Sequence, residues 1–428
     1  MPDALDPSPL LAPFTIKGLT LPNRFVMPGM QRQWCDNGTP QPRLAQYYRR
    51  RVEGGVGLII TESCAVDHPS STQVPLFTRI TDATLDAWAE CFAAVKSAGG
   101  RMFMQLWHEG AIRKEGGDGP YAQYPTLSPS GLVRPGKSNG RAATAEDLES
   151  IKDAFVRGAL AARQIGADGI EVHACHGYLL DQFLWAGTNQ RTDGYGGDDI
   201  RARVRFPAEI VRAIRAAVGP EFVISFRFSQ WKEVDYEARI APTWQDLQVM
   251  LSELRAAGVD IFHASARRFW IPEWPNSDLG IAGWTKSLTD APVIAVGSVG
   301  LDTDVMENFF GKEARPTGEP GLRELLRRFN NREFDLVAVG RGHMQRSIAI
   351  HIPGIDIGFI TKQQLGNLFV TMGGGPVQKS IVAFIAVGNQ LRVGFDKFGN
   401  GSNVVLTDGL VQRARCGAAT GKADDGKP

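Results

Sequence analysis

Short, continuously apolar runs alternate along this chain with longer stretches whose apolar residues recur every three or four positions. The runs cover residues 25–27, 57–61, 102–106, 169–173, 222–228, 260–264, 292–296 and 336–339. Runs this short and unbroken read as strands buried on both faces, and each spacer is long enough for a helix. Strict β-then-α alternation predicts a parallel sheet, and about eight such units favour a closed (β/α)8 TIM barrel over an open sheet. The spacers agree. Leu85, Trp88, Phe92 and Val95 fall on one helical face before the Gly99-Gly100 stop. Thr144 reads as a helix cap, followed by the apolar stripe Leu148, Ile151 and Phe155 and by Gly166 as terminator.

Two connections are long. Residues 111–143, rich in Gly and Pro, follow the third strand on the side where a barrel carries its binding loops, and they are read as a lid or insertion. Residues 303–320 read as a structural loop. The character changes after about residue 345, which divides the chain into a barrel over 1–345 and a carboxyl-terminal extension over 346–428. The apolar run 381–387 and the alternating run 390–395 suit an added β-rich segment or sequence unrelated to the barrel, and the last eight residues, 421–428, suit disorder.

Composition narrows the class. Of 428 residues, 43% are hydrophobic and 22% charged, and the formal net charge is +1. That balance gives no electrostatic case for nucleic acid or an anionic membrane. No run approaches the roughly 18 apolar residues of a membrane span, and the amino terminus has no secretory pattern. Cys35, Cys64, Cys91, Cys175 and Cys416 form no CxxC pair, which argues against disulfide frameworks and metal-binding ribbons and for a reducing, cytoplasmic location.

A barrel builds its active site at the carboxyl ends of its strands. Standing there are Pro28, Gly29, Met30 and Gln31, then Ser63, Gln105, His108, His173, His176, Arg227 and His263. Strands seven and eight end in Gly297-Ser298-Val299-Gly300 and Gly340-Arg341, whose bare N–H groups and guanidinium suit a phosphate. The densest chemistry lies in His173-Ala-Cys-His-Gly-Tyr178, where two imidazoles and a phenol follow a buried strand. This set can hold a carbonyl oxygen and deliver a proton. Cys175 is expected to be a packing residue turned away from the imidazoles.

The wording from His173 to Gly197, with Phe14 to Phe25, Gln105-Leu-Trp-His108 and Phe226-Arg-Phe-Ser229, resembles the old yellow enzyme family of FMN-dependent ene-reductases. The likeness runs over about residues 12 to 341 and implies an amino-terminal hairpin ahead of the barrel. It also implies FMN as cofactor, NADH or NADPH as hydride donor and a small-molecule activated alkene as substrate. Gln105 and Arg227 match binders of the flavin ring, and Gly297, Gly300, Gly340 and Arg341 match binders of its phosphate. His173 and His176 match the pair that grips the substrate oxygen, and Tyr178 matches the proton donor to the α-carbon. Gln31 departs from the usual Thr or Cys. A homodimer is compatible with the exposed faces of a barrel. Two other readings remain at this point: a family member that has lost FMN and acts non-catalytically, and a metallohydrolase using His108, His173, His176 and His263. The cluster-bearing branch of the family is excluded by the isolation of Cys416.

Overall fold

The computed structural model describes residues 5–340, apart from 117–118, 305–306 and 308–309, and beyond them strands between 351 and 406. Contacts divide the chain into two compact units, Met1–His343 with Ile348–Phe359, and Met344–Ser347 with Ile360–Pro428.

In the first unit, eight strands follow in chain order: β1 (Phe25–Met27), β2 (Leu58–Ile60), β3 (Met102–Trp107), β4 (Gly169–His176), β5 (Val223–Lys232), β6 (Ile261–Ser265), β7 (Val293–Val296) and β8 (Leu336–Ala338). Each pairs in parallel with its sequence neighbours, and β8 pairs with β1, so the sheet closes into the expected (β/α)8 barrel. Closure explains the unbroken apolar runs. Val26 joins the inner cluster with Ile60, Phe103 and Ile294, whereas its neighbours Phe25 and Met27 join the larger cluster between sheet and helices. Both faces of a barrel strand are buried, so alternation vanishes. Pairing is uneven: β4 and β5 match over seven residue pairs, β8 and β1 over two.

The hairpin Phe14–Ile16/Leu19–Leu21 precedes the barrel, and Leu21 packs into the inner cluster. Lys17 and Gly18 both take positive φ, the two-residue turn that suits the strand twist. Helices α1 (Pro42–Glu53), α2 (Leu85–Ser97), α3 (Ala145–Gln164), α4 (Ile200–Val218), α5 (Trp244–Ala257), α6 (Ile281–Leu288) and α7 (Gly318–Asn330) fill the spacers. The expected cap forms: the Asp147 amide donates to Thr144 Oγ1 at 3.2 Å, above the buried stripe Leu148, Ile151 and Phe155. α7 begins at Gly318, inside the stretch read as loop.

The 111–143 insertion carries short strands of its own. Leu132–Arg134 pairs with Lys137–Ser138 about a Pro135-Gly136 turn, and Leu127–Ser128 pairs with Arg141–Ala142. Asn139 ties it down by donating to the carbonyls of Ala111 and Arg113 at 2.6 and 2.7 Å. In the second unit, Asn367–Val370, Val382–Val387, Gln390–Phe395 and Ser402–Leu406 form an antiparallel four-stranded sheet in that order. The expected eighth helix and the 421–428 terminus lie outside the described residues. Among those described, no helix is long and apolar enough to cross a membrane.

Candidate active site

A chain of hydrogen bonds runs across six consecutive strands, from residues just past β1 and β2 to residues within β3, β4, β5 and β6. Gln31, past β1, donates from Nε2 to the Ser63 carbonyl at 2.7 Å, and the Ser63 hydroxyl donates to Gln105 Oε1 at 2.6 Å. Gln105 Nε2 donates to Glu171 Oε1 at 2.7 Å. The other oxygen of Glu171 accepts from Ser225 at 3.1 Å and from His263 Nδ1 at 2.7 Å. Burial opposes the charge on Glu171, but His263, Arg227 and Gln105 overcome it and hold the carboxyl at about 2. The sequence reading passed over Glu171, although a carboxylate inside an apolar run was its signal. Gly29 is required beside this chain, because a Cβ there would stand 2.5 Å from the Thr61 carbonyl oxygen and 2.8 Å from Gln105 Nε2.

Next to this chain lies the exit of β4. His176 and Gly177 both take left-handed backbone, φ +66 and +94, which reverses the chain and brings Tyr178 back toward His173. The His173 ring centroid lies 5.7 Å from that of His176 and 5.2 Å from that of Tyr178, with steep angles of 82° at both. The structure therefore gathers the three expected residues. His176 Nε2 hydrogen-bonds the Ser265 hydroxyl at 2.8 Å, and its amide donates to Ser229 Oγ at 3.0 Å. Trp107 flanks Tyr178 and Trp231 flanks His176. Burial, reinforced by Arg227, lowers His173 to about 3 and takes His176 well below the usual imidazole range, so both rings are neutral. Burial first, then the Glu233 and Glu109 carboxyls, push Tyr178 well above its ordinary value and keep it a phenol.

Cys175 corrects an expectation. It is buried, but its Sγ lies 3.3 Å from His173 Nε2, because residues two apart on a strand share a face. His173, Cys175 and His176 thus present ligand-type atoms within 4.8 Å of one another. The other two histidines weighed for a metal are committed to protein partners: His263 to Glu171, and His108 to Ser70 at 2.9 Å.

Arg227 is 7% exposed and donates to Ser265 Oγ at 3.4 Å; among the described residues no carboxylate pairs with it. At the far side, Gly297 (φ +147) and Gly300 (φ +76) bracket Ser298, itself left-handed at φ +48. A Cβ on Gly297 would stand 2.6 Å from the Ala266 carbonyl oxygen. The Ser298 hydroxyl is turned to the carbonyls of Arg267 and Thr303, at 2.9 and 2.7 Å, so its side chain braces the turn. Arg267 and Arg268, missed by the sequence reading despite following β6 directly, stand beside this turn and pair with Asp304 and Glu307. A Cβ on Gly340 would lie within 3.6 Å of Pro28 and Met30, which puts the end of β8 against that of β1. Arg341 lies outside the described residues.

Comparison with known proteins now bears on this geometry. The pattern of the NADH:flavin oxidoreductase / NADH oxidase family matches residues 9–314. The chain belongs to this family. An NADH oxidase of Thermoanaerobacter brockii is 36% identical over 338 residues, 76% of this chain and 48% of that protein. The 12-oxophytodienoate reductase 7 of Oryza sativa subsp. japonica is 35% identical over 228 residues, 50% of this chain and 57% of that protein. The chain thus spans about half the length of the curated relatives it matches. Among solved structures, a morphinone reductase mutant in complex with tetrahydroNAD superposes with a TM-score of 0.64 at 26% identity, covering 78% of this chain and 86% of that one.

For a member of the NADH:flavin oxidoreductase family, the site must accept a flavin, and its residues fit one. Among the described residues, Gln31 Oε1, His173 Nδ1 and Arg227 Nε are buried without a hydrogen-bond partner. Buried polar atoms are rarely left unpaired, so three at one barrel end suit a ligand with a polar edge. The turn after β7, with Gly297, Ser298 and Gly300 all at positive φ, offers backbone N–H groups of the kind a phosphate accepts from.

Proposed function

We propose that the chain is an FMN-dependent reductase of activated alkenes, driven by NADH or NADPH. The observation that carries this reading is the turn that brings two neutral imidazoles and a phenol together at the barrel end bearing the buried Arg227. When bound, FMN supplies the hydride for the β-carbon of an α,β-unsaturated carbonyl compound.

The residues supply the rest. Gln31, Gln105 and Arg227 would hold the flavin ring, with Pro28, Gly29, Met30 and Ser63 shaping its berth. Gly297, Ser298, Gly300, Gly340 and Arg341 would hold the phosphate. His173 and His176 grip the substrate oxygen, and since both rings are neutral they act as hydrogen-bond donors. Those bonds draw electron density from the alkene. Tyr178, held as a phenol by its burial, gives the proton to the α-carbon. Trp107 and Trp231, which flank Tyr178 and His176, would keep water from the substrate.

The visible spectrum of the purified protein tests the reading. Yellow protein that bleaches with NADPH without air, and recovers its colour with cyclohexenone, is expected. Protein that stays colourless with added FMN, or that bleaches and is not reoxidised by any enone, would overturn it.

A further inference from the structure

β5 runs on past the stretch that reads as strand to Lys232, and Glu233 and Val234 follow it. The Glu233 amide donates to the His176 carbonyl at 3.2 Å. A Cβ on Gly177 would meet Lys232 Cβ at 3.7 Å and Val234 Cγ2 at 3.8 Å, so this segment lies along the turn that carries Tyr178. Of the carboxylates that act on the Tyr178 hydroxyl, Glu233 acts most strongly, and it is itself half-buried. The next two residues, Val234 and Asp235, line a cavity of about 630 Å³ with Arg134, Pro135, Gly136 and Lys137 of the inserted hairpin. Glu233 is thus next in sequence to two residues of that cavity and lies along the turn that carries the phenol.

Building on the alkene-reductase reading, we propose that Glu233 relays protons to Tyr178, passing its own proton to the phenol oxygen as the phenol proton goes to the substrate α-carbon. The Tyr178 O–H bond breaks as the α-carbon–hydrogen bond forms from the enolate electron pair. The Glu233 O–H bond breaks as a new Tyr178 O–H bond forms, and the carboxylate regains a proton from water in the cavity. One solvent proton is consumed and no further oxidant or reductant is needed.

Electrostatics support the geometry. Burial raises the Glu233 carboxyl to about 7, against the pull of Arg227 on β5 and of the Tyr178 hydroxyl. A group poised near neutrality can both give and regain a proton, which is the condition for efficient transfer. Glu109, beyond β3, and Cys175 also act on Tyr178, in the direction that keeps it protonated, and Tyr236 stands near Glu233 on its own loop. With its partner held as a phenol, Glu233 is the group in this pair that changes state near neutral pH.

The test is anaerobic single-turnover reoxidation of reduced holoenzyme by cyclohexenone from pH 6 to 9. The rate of the unaltered protein should fall as pH rises through about 7. Glu233→Gln keeps the size and polarity of the side chain but has no relay proton. It should be slower by roughly 100-fold, the low end of what a placed proton donor contributes, and flat with pH. Glu233→Asp should restore the pH limb, and the absorbance of bound FMN reports whether each variant is folded. A flat profile for the unaltered protein, or a Glu233→Gln rate and profile like its own, would overturn the relay. Should Tyr178→Phe react as fast as the unaltered protein, the failure is of Tyr178 as donor and not of Glu233 alone.

Discussion

His176 is not glycine, yet its backbone is left-handed, a conformation most side chains avoid. It persists because its amide and ring are both bonded, to Ser229 and Ser265, and because Gly177 continues the reversal freely. The result is that Tyr178 faces His173 rather than solvent. Tyr178→Phe should therefore slow reoxidation by an enone by about 100- to 10,000-fold while reduction by NADPH proceeds, since only reoxidation uses its proton. Stopped-flow absorbance separates the two, and equal loss in both would contradict the assignment. His173→Ala should weaken binding of a phenol about 10-fold, one lost hydrogen bond of roughly 1–1.5 kcal/mol, as followed by perturbation of the flavin absorbance; unchanged affinity would remove His173 from the grip. Histidines and a tyrosine packed into six positions were legible from sequence. Ser265 and Glu233 were not, because their partners come from other strands and nothing in a linear pattern joins them.

At the scale of elements, the end of β5 is held by an ion pair with no solvent exposure. Lys232 Nζ donates to Asp181 Oδ1 at 2.8 Å, and to the carbonyls of Ser229 and Gln230 at 3.2 and 2.8 Å. Asp181 Oδ2 also accepts from the Gly177 amide, so the pair fastens β5 to the turn that carries Tyr178 and to the short helix Leu179–Leu184. Burial pushes the Asp181 carboxyl up to about 6 against the pull of Lys232. Asp181→Ala would leave a buried ammonium unpaired and should destabilise the fold by ~3–5 kcal/mol, with Asp181→Ala/Lys232→Met recovering part of the loss. Chemical denaturation measures both, and a double variant no better than the single would sink the idea. This pair also explains a limit of the sequence reading. Ser229-Gln230-Trp231-Lys232 is too polar to extend an apolar run, yet it is strand, because each polar group has an internal partner. Apolar runs locate strands buried by packing and miss those buried by pairing.

For the whole molecule, buried titratable groups set the pH response. Burial lowers His68 to about 4 and His173 to about 3, with His108 and His176 also well below the usual range. These histidines are neutral in the fold but charge in the unfolded chain, so their contribution is complete above about pH 6.5 and lost as pH falls. Burial raises Glu62 to about 8 and Glu109, Glu233 and Glu273 to about 7. Their contribution is complete below the ordinary carboxylate value and lost as pH rises through 7 to 8. The two trends oppose, so Tm should peak between about pH 4.5 and 6.5; a Tm that climbs steadily from pH 5 to 9 would refute this. The barrel itself was legible because its units repeat one apolar pattern. The strands beyond residue 350 were only half legible, since alternation marks a strand without saying what it pairs with.

The uneven pairing has one further consequence. β1 meets β8 through two residue pairs and β2 through two more, while β4 meets β5 through seven, so the ring of strands is a hoop whose seam at β1 is a short clasp. The amides of Val337 and Val339 bridge that seam to Arg24 and Val26, and Gly340 abuts Pro28 and Met30 just beyond it. On the proposed reading, residues at the ends of β1, β7 and β8 would hold the flavin, so binding the cofactor would rivet the clasp shut.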